Sequence, residues 1–236
     1  MTELNYLESL NPLQYESVCS TEGPNLIIAG AGTGKTKVLT TRVAHIIDNN
    51  LAFPSQILCV TFTNKAAREM SERVQKLVSQ NMEKMPWMGT FHSIGAKIIR
   101  NHAEVIGLKQ SFTILDKDDQ LSLIKQIIKA ENLDQSQFSP KLIQSKIDHW
   151  KNKALNPNDI KSESLDNLVD EKSLSIYKIY QSRLFEINCL DFGDLLLQCI
   201  NLFKVPDIHK RYSNNFKYIH VDEYQDTNAA QYKWLK

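Results

Sequence analysis

AGAGTGKT, residues 29–36, lies between the apolar run Leu26, Ile27, Ile28 and a helix-like stretch that starts at Lys35. Strand, glycine-rich turn and helix in that order predict a P-loop within an α/β layer. Gly30, Gly32 and Gly34 bring no side chains into the turn, so backbone N–H groups can point inward around phosphate oxygens, and the helix N-terminus adds partial positive charge. Lys35 is placed to reach β- and γ-phosphates as a point charge, and the Thr36 hydroxyl to bind the Mg²⁺ that accompanies them. The strict pattern has Gly at position 29; Ala29 is the smallest alternative and leaves the loop's physics intact. Ala29, Gly30, Ala31, Gly32, Thr33, Gly34, Lys35 and Thr36 are therefore the expected nucleotide-binding residues, with a nucleoside triphosphate and Mg²⁺ as ligands.

A second string, VDEYQDTN at 221–228, follows Phe216, Tyr218, Ile219 and Val221, which read as a mostly buried parallel strand. Its C-terminal end is the edge of an open parallel sheet at which ligands bind. Two carboxylates emerge there. Asp222 is expected to hold Mg²⁺, and Glu223 to take a proton from an attacking water as general base. An acidic pair alone would read as a solvated strand end; the P-loop upstream gives it its meaning.

The bulk numbers are consistent with a folded soluble protein. With 236 residues, 42% of them hydrophobic, the chain can bury a sizeable core in one large domain or two modest ones. The N-terminus lacks a basic stretch followed by a long apolar run, and no later segment has the length to span a bilayer, so no membrane partner and a cytoplasmic location are expected. Cys19, Cys59, Cys189 and Cys199 form no C-x-x-C pair and read as reduced structural thiols. A net charge of +1 neither demands nor excludes nucleic acid, because steering depends on local charge.

Between Gly107 and Gly193 there is no glycine, and helical periods with start signals fill the gap. Asp116 precedes a face of Leu121, Ile124 and Ile128, with Asp119 where a capping-box acid would stand. Ser139-Pro140 and Asn156-Pro157 read as further helix starts. On either side lie short apolar strands followed by helices: Leu26 to Ile28, Ile57 to Phe62, and Phe216 to Val221. The expected organisation is a discontinuous ATP-binding domain, 1–106 with 190–236, interrupted by an all-helical insertion at 107–189. Within the insertion, Lys141, Lys146, Lys151 and Lys153 suggest a weak duplex-facing surface, a solvated helical face being the alternative.

With TFTNKAAREM at 61–70 and GTFHSI at 89–94 between the two nucleotide motifs, the chain resembles the UvrD/Rep/PcrA-type superfamily 1 DNA helicases from Leu10 to Lys236. The resemblance implies a RecA-like P-loop fold and an ATP-driven motor that moves 3′ to 5′ along single-stranded DNA and acts at duplex junctions. Gln14, in LNPLQ, matches the family's adenine-reading glutamine, although Asn11, Pro12 and Gln14 also form a capping-box arrangement. Phe62, Thr63 and Asn64, where a strand gives way to a helix, match one DNA-contacting motif, and Thr90, Phe91 and His92 match a second. An aromatic there gives sequence-tolerant base stacking; core packing of Phe62 and local capping by His92 are the competing readings. Lys37 departs from the arginine often found after the P-loop threonine, and Arg42, further along the same helix, is left outside the expected site.

The resemblance also implies a continuation beyond Lys236: a second RecA-like domain, on this or another chain, with the arginines that contact the γ-phosphate. Because an arginine finger is worth about 10³–10⁵ in turnover, a C-terminally truncated chain is expected to hydrolyse ATP slowly and not to unwind DNA alone. A non-catalytic nucleotide- and DNA-binding module, or a remnant of such a helicase, is the competing class. A P-loop kinase or GTPase is weaker, since TNKAA lacks the Asp of a guanine-reading NKxD, and RNA is a further possible substrate.

Overall fold

A computed structural model describes residues 6–78, 85–161, 163, 165 and 167–236. Helices are α1 (Pro12–Cys19), α2 (Lys35–Asp48), α3 (Asn64–Leu77), α4 (Phe91–Asn101), α5 (Lys117–Ala130), α6 (Pro140–Asn152), α7 (Leu168–Glu186), α8 (Phe192–Phe203), α9 (Pro206–Asn215) and α10 (Ala229–Leu235). Strands are β1 (Ile57–Thr61), β2 (Met88–Thr90), β3 (Thr113–Ile114), β4 (Cys189–Leu190) and β5 (Tyr218–Val221). The chain divides into two compact units, one running through Ile94 and including Lys210–Gln225, the other comprising Gly95–His209 and Asp226–Lys236.

The first unit is an α/β layer. Its sheet has the order β2-β1-β5, all parallel, with Cys59 opposite Met88 on one side and His220 on the other. All five β1 residues are buried, as expected of a central parallel strand covered on both faces. Ala67, Met70 and Val74 form the inward stripe of α3, and Met70 and Val74 share a core with Val43, Ala44 and Ile46 of α2 and Ile57 and Cys59 of β1. Thr63 starts α3 by accepting the Ala66 N–H at 3.1 Å.

The expected strand at Leu26–Ile28 does not form. The segment joins no ladder, and Leu26 and Ile28 are 73% and 88% exposed. The reason is pairing: both edges of β1 are already taken, by β2 and β5, and neither of those strands pairs with the segment. An apolar tripeptide becomes a strand only when neighbouring backbone satisfies its N–H and C=O groups.

The second unit is mostly helical. Ile124, Ile127 and Ile128 of α5 meet Ile143 and Ile147 of α6 and Leu174, Tyr177, Tyr180 and Leu184 of α7 in one core. Its helix starts follow the sequence signals: Asp116 accepts the Asp118 and Asp119 N–H groups at 2.9 Å, and Pro140 opens α6. A purely helical 107–189 needs one correction. Thr113 and Ile114 pair in parallel with Cys189 and Leu190, secured by Leu115 N–H donating to the Leu190 carbonyl at 2.8 Å.

The lysine-rich stretch also reads differently in three dimensions. Lys146 pairs with Asp170, and Lys151 is buried between Asp191 and Asp194 at 2.7 and 2.8 Å. Only Lys141 and Lys153 of the four are exposed, so the suggested duplex-facing patch loses half its charge. Asp191 and Asp194, some forty residues away in sequence, supply the compensating charge that makes burial of an ammonium tolerable. All four cysteines are free thiols. Among the described residues no helix is long and apolar enough to cross a membrane.

Candidate functional site

The P-loop occupies residues 29–34 and leads directly into α2, whose N-cap is Gly34. Gly32 and Gly34 adopt φ of +75° and +94°, a region in which a Cβ is strained. A Cβ on Gly34 would also stand 3.0 Å from Gln14 Nε2. These two glycines are therefore required by backbone shape. Thr33 Oγ1 donates to the Gly30 carbonyl at 2.8 Å, closing the turn on itself. The Lys35 ammonium donates to the Ala29 and Gly30 carbonyls, each at 3.1 Å, which holds it folded over the loop.

β5 delivers Asp222 and Glu223 into the same unit. Asp222 N–H extends the parallel ladder by donating to the Val60 carbonyl at 3.0 Å. Its carboxyl is pushed above the ordinary range by partial burial and by Glu223, while the Glu223 N–H and the Lys35 charge pull it back. Glu223 has φ of +51°, left-handed backbone that a non-glycine residue adopts only when its surroundings impose it. Gln225 donates to its carboxylate, both side chains being exposed. Sequence reading passed over Gln225; its position two residues beyond the acid, in a turn, was the available signal.

Gln14 caps α1 and also reaches the glycine-rich turn. Its Oε1 accepts the Asn11 N–H at 3.1 Å while Asn11 Oδ1 accepts the Gln14 N–H at 2.9 Å, so the capping box is real. Its Nε2 donates to the Thr33 carbonyl at 3.0 Å, tying α1 to the P-loop. A primary amide has two acceptor lone pairs and two donor hydrogens. One of each remains, the complement of an adenine edge with its amine donor and ring-nitrogen acceptor.

The six residues expected to meet DNA separate by burial. Phe62 is half-buried at the end of β1 and meets Phe91 edge-on, ring centroids 5.7 Å apart. Thr63 and Asn64 are exposed at the start of α3. Phe91 is core, and Thr90 is buried with its hydroxyl accepting the Ser93 N–H at 3.1 Å, which caps α4. Both therefore support the strand ends from behind and present no free face. His92 is half-buried, and burial lowers its pKa, so the imidazole is neutral near pH 7. Lys37 donates to the Ser9 carbonyl at 2.6 Å, where the expected arginine would have offered a fork.

The residues present fit a Mg²⁺-nucleotide. Among the described residues no cluster of three or more His, Cys, Asp or Glu is able to cage a metal ion. One carboxylate and one hydroxyl beside a phosphate cradle suit Mg²⁺, which keeps waters and takes oxygens from substrate phosphates. A polar cleft of roughly 440 Å³ in the second unit, lined by Asn156, Lys178, Gln181, Phe185 and Gln198, contains none of the expected site residues.

Residues 10–236 match the family described as UvrD/REP helicase N-terminal domain. The chain is 48% identical over 231 residues to a Staphylococcus aureus protein named ATP-dependent DNA helicase PcrA, covering 98% of this chain and 31% of that protein. It is 48% identical over 240 residues to DNA helicase II of Rickettsia typhi, covering 100% and 36%, and 46% identical to the PcrA of Staphylococcus epidermidis over 231 residues, covering 98% and 31%. It thus spans about a third of the length of the relatives it matches. With both nucleotide motifs inside the matched span and this identity along the whole chain, the chain belongs to the UvrD/REP helicase N-terminal domain family.

Proposed function

We propose that this chain is the ATP-binding motor portion of an ATP-dependent DNA helicase that moves 3′ to 5′ on single-stranded DNA and acts at duplex junctions. The fold is read as RecA-like, with residues 107–189 as a helical insertion and the rest as the discontinuous nucleotide-binding domain. Support comes chiefly from one arrangement: the Lys35 ammonium is held over the glycine-rich turn, and β5 of the same unit ends at Asp222 and Glu223. A phosphate cradle and a metal-binding carboxylate then serve one bound nucleotide. Bound Mg²⁺ would offset the phosphate charge that grows as the terminal phosphoryl group leaves.

The chain's own residues divide the work. Backbone N–H groups of Gly30–Gly34 and the α2 N-terminus orient the phosphates, and Lys35 exchanges the Ala29 and Gly30 carbonyls for phosphate oxygens. Thr36 and Asp222 hold the metal. Glu223, whose carboxylate accepts from Gln225, takes the proton of the attacking water. Gln14 reads adenine with its remaining lone pair and hydrogen. Phe62, Thr63, Asn64 and His92 form the track for single-stranded DNA, backed by Thr90 and Phe91, with Phe62 stacking on a base. The helicase partner of this portion is the second RecA-like domain, on the same or another chain.

ATP turnover with and without oligothymidine tests the reading. Stimulation by the oligonucleotide, abolished by Glu223→Gln with ATP binding retained, is the expected result. Intact ATP·Mg²⁺ binding with no turnover under either condition would favour a non-catalytic nucleotide- and DNA-binding module.

A further inference from the structure

Arg42 lies two turns along α2 from Lys35, and it is 6% exposed. Its Nη1 donates to the Ser17 carbonyl at 2.6 Å and its Nη2 to the Thr21 carbonyl at 3.1 Å. Ser17 lies in the last turn of α1 and Thr21 just beyond it, so both carbonyls fall at the helix end that carries negative partial charge and lacks intrahelical donors. No carboxylate stands within ion-pair distance of this guanidinium among the described residues; Glu22, whose charge favours it, is exposed and accepts from Tyr218 Oη at 2.8 Å. Burial of a cation against neutral carbonyls is a poor route to stability, since an apolar side chain of similar length would avoid the desolvation cost. What the planar fork supplies is geometry: two bonds in fixed directions that set where α1 lies along α2.

Three ties join the Gln14-bearing segment to the P-loop and its helix: Lys37 to Ser9, Gln14 to Thr33, and Arg42 to Ser17 and Thr21. The first two involve exposed groups that water can replace. The Arg42 tie is part-buried and comes from a side chain that is itself buried. We propose that Arg42 is a positioning residue for base selection: by gripping the C-terminal carbonyls of α1, it holds the Gln14 amide where an adenine edge meets it once the phosphates occupy the loop. Arg42 touches no part of the nucleotide. Its effect therefore falls on discrimination between bases and leaves the phosphate cradle unchanged. The inference rests on the adenine-reading role proposed for Gln14.

The test is the ratio of dissociation constants for GTP·Mg²⁺ and ATP·Mg²⁺, with Mg²⁺-tripolyphosphate as a probe that has no base. Gln14→Ala should lower the ATP preference about tenfold, the scale of one lost hydrogen-bonded contact. Arg42→Ala should lower it to the same level with tripolyphosphate affinity within about twofold of wild type, and the double variant should go no lower. If Arg42→Ala does not fold, Arg42→Lys decides, because it keeps the charge and one of the two bonds. The lysine variant should give an intermediate ratio and faster amide hydrogen exchange in residues 12–20, with α2 unchanged. Base preference that survives Gln14→Ala would overturn the Gln14 role and this inference with it. Preference lost in Gln14→Ala but kept in a folded Arg42→Ala, or kept in Arg42→Lys with unchanged exchange, would overturn the inference alone. Equal loss of nucleotide and tripolyphosphate binding would make Arg42 a general support and also refute it.

Discussion

Lys151→Met places two buried carboxylates in direct opposition without their shared cation. Lys151 is completely inaccessible; its ammonium donates to Asp191 Oδ2 at 2.7 Å, pairs with Asp194 Oδ1 at 2.8 Å, and lies 5.2 Å from the centroid of the Tyr180 ring. Tyr180 Oη adds a bond to Asp191 at 2.8 Å, and Gln181 Nε2 one to Asp194 at 3.0 Å. Methionine replaces the stem that packs against Gly193, so little packing is lost. The loss is electrostatic, and removal of one partner from a buried pair costs about 3–5 kcal/mol. That is a large part of the ~5–15 kcal/mol by which domains are stable.

The pH dependence has a definite sign. Burial, and then Asp191, already push the Asp194 carboxyl up to about 6, against the pull of Lys151. Without Lys151 it rises further. A carboxyl raised in the folded state binds more protons there than in the unfolded chain, so the destabilisation grows as pH climbs above the unfolded value, by up to about 1.4 kcal/mol per pH unit. Urea unfolding, followed by Trp150 and Trp234 fluorescence in this unit, should therefore show the variant far weaker than wild type at pH 8 and closer to it at pH 5. Adding Asp191→Asn and Asp194→Asn should restore much of the loss, since an asparagine side chain at the α8 N-cap still accepts the capping N–H. A cooperative variant that loses less than about 1 kcal/mol at pH 8, or whose loss does not change with pH, would refute the reasoning.

Other outcomes follow from the same geometry. His220 is buried with Nε2 unpartnered, and burial, then Arg42, push its pKa down to about 4. The folded state therefore binds fewer protons than the unfolded one between about 4 and 6.5, so stability falls as pH drops through that window, by roughly 3 kcal/mol in full. Unfolding of the first unit, reported by Trp87 against Tyr212 and Phe216, should lose most of this acid slope in His220→Leu; an unchanged slope would show that another group carries it. Gly95→Ala sets a Cβ 2.5 Å from the Leu195 carbonyl oxygen, and backbone there cannot yield without cost, so a loss of about 1–3 kcal/mol in chemical denaturation is expected. Phe62→Ala should weaken oligothymidine binding by about 1–3 kcal/mol with ATP·Mg²⁺ affinity unchanged; equal loss of both ligands would mean the ring serves the core.

How far the sequence could be read depended on whether the deciding partner was near in the chain. The glycine-rich turn before α2 was legible because glycine spacing carries the backbone shape itself, and Gly32 and Gly34 have positive φ. Helix starts at Asn11, Thr63 and Asp116 were legible for the same local reason. Leu26–Ile28 was misread as a strand because apolar composition says nothing of whether a ladder partner stands alongside. Lys151 was misread as part of a charged face because its countercharges lie at the start of α8 and its chain neighbours Lys153 and Asn152 are polar. The two readings of Gln14 looked exclusive in sequence, and only the atom-by-atom count of its amide leaves room for both. Burial likewise divided the six residues expected to meet DNA into four that are exposed or half-buried and two, Thr90 and Phe91, that are buried.

Calorimetry of ATP·Mg²⁺ binding to the purified chain, with Lys35→Ala alongside, tests the central claim most directly. The account predicts one site per chain in the wild type and its loss in the variant, with both proteins unfolding cooperatively at similar urea concentrations. A cooperatively folded wild type that binds no ATP·Mg²⁺, or binding that survives Lys35→Ala undiminished, would contradict it.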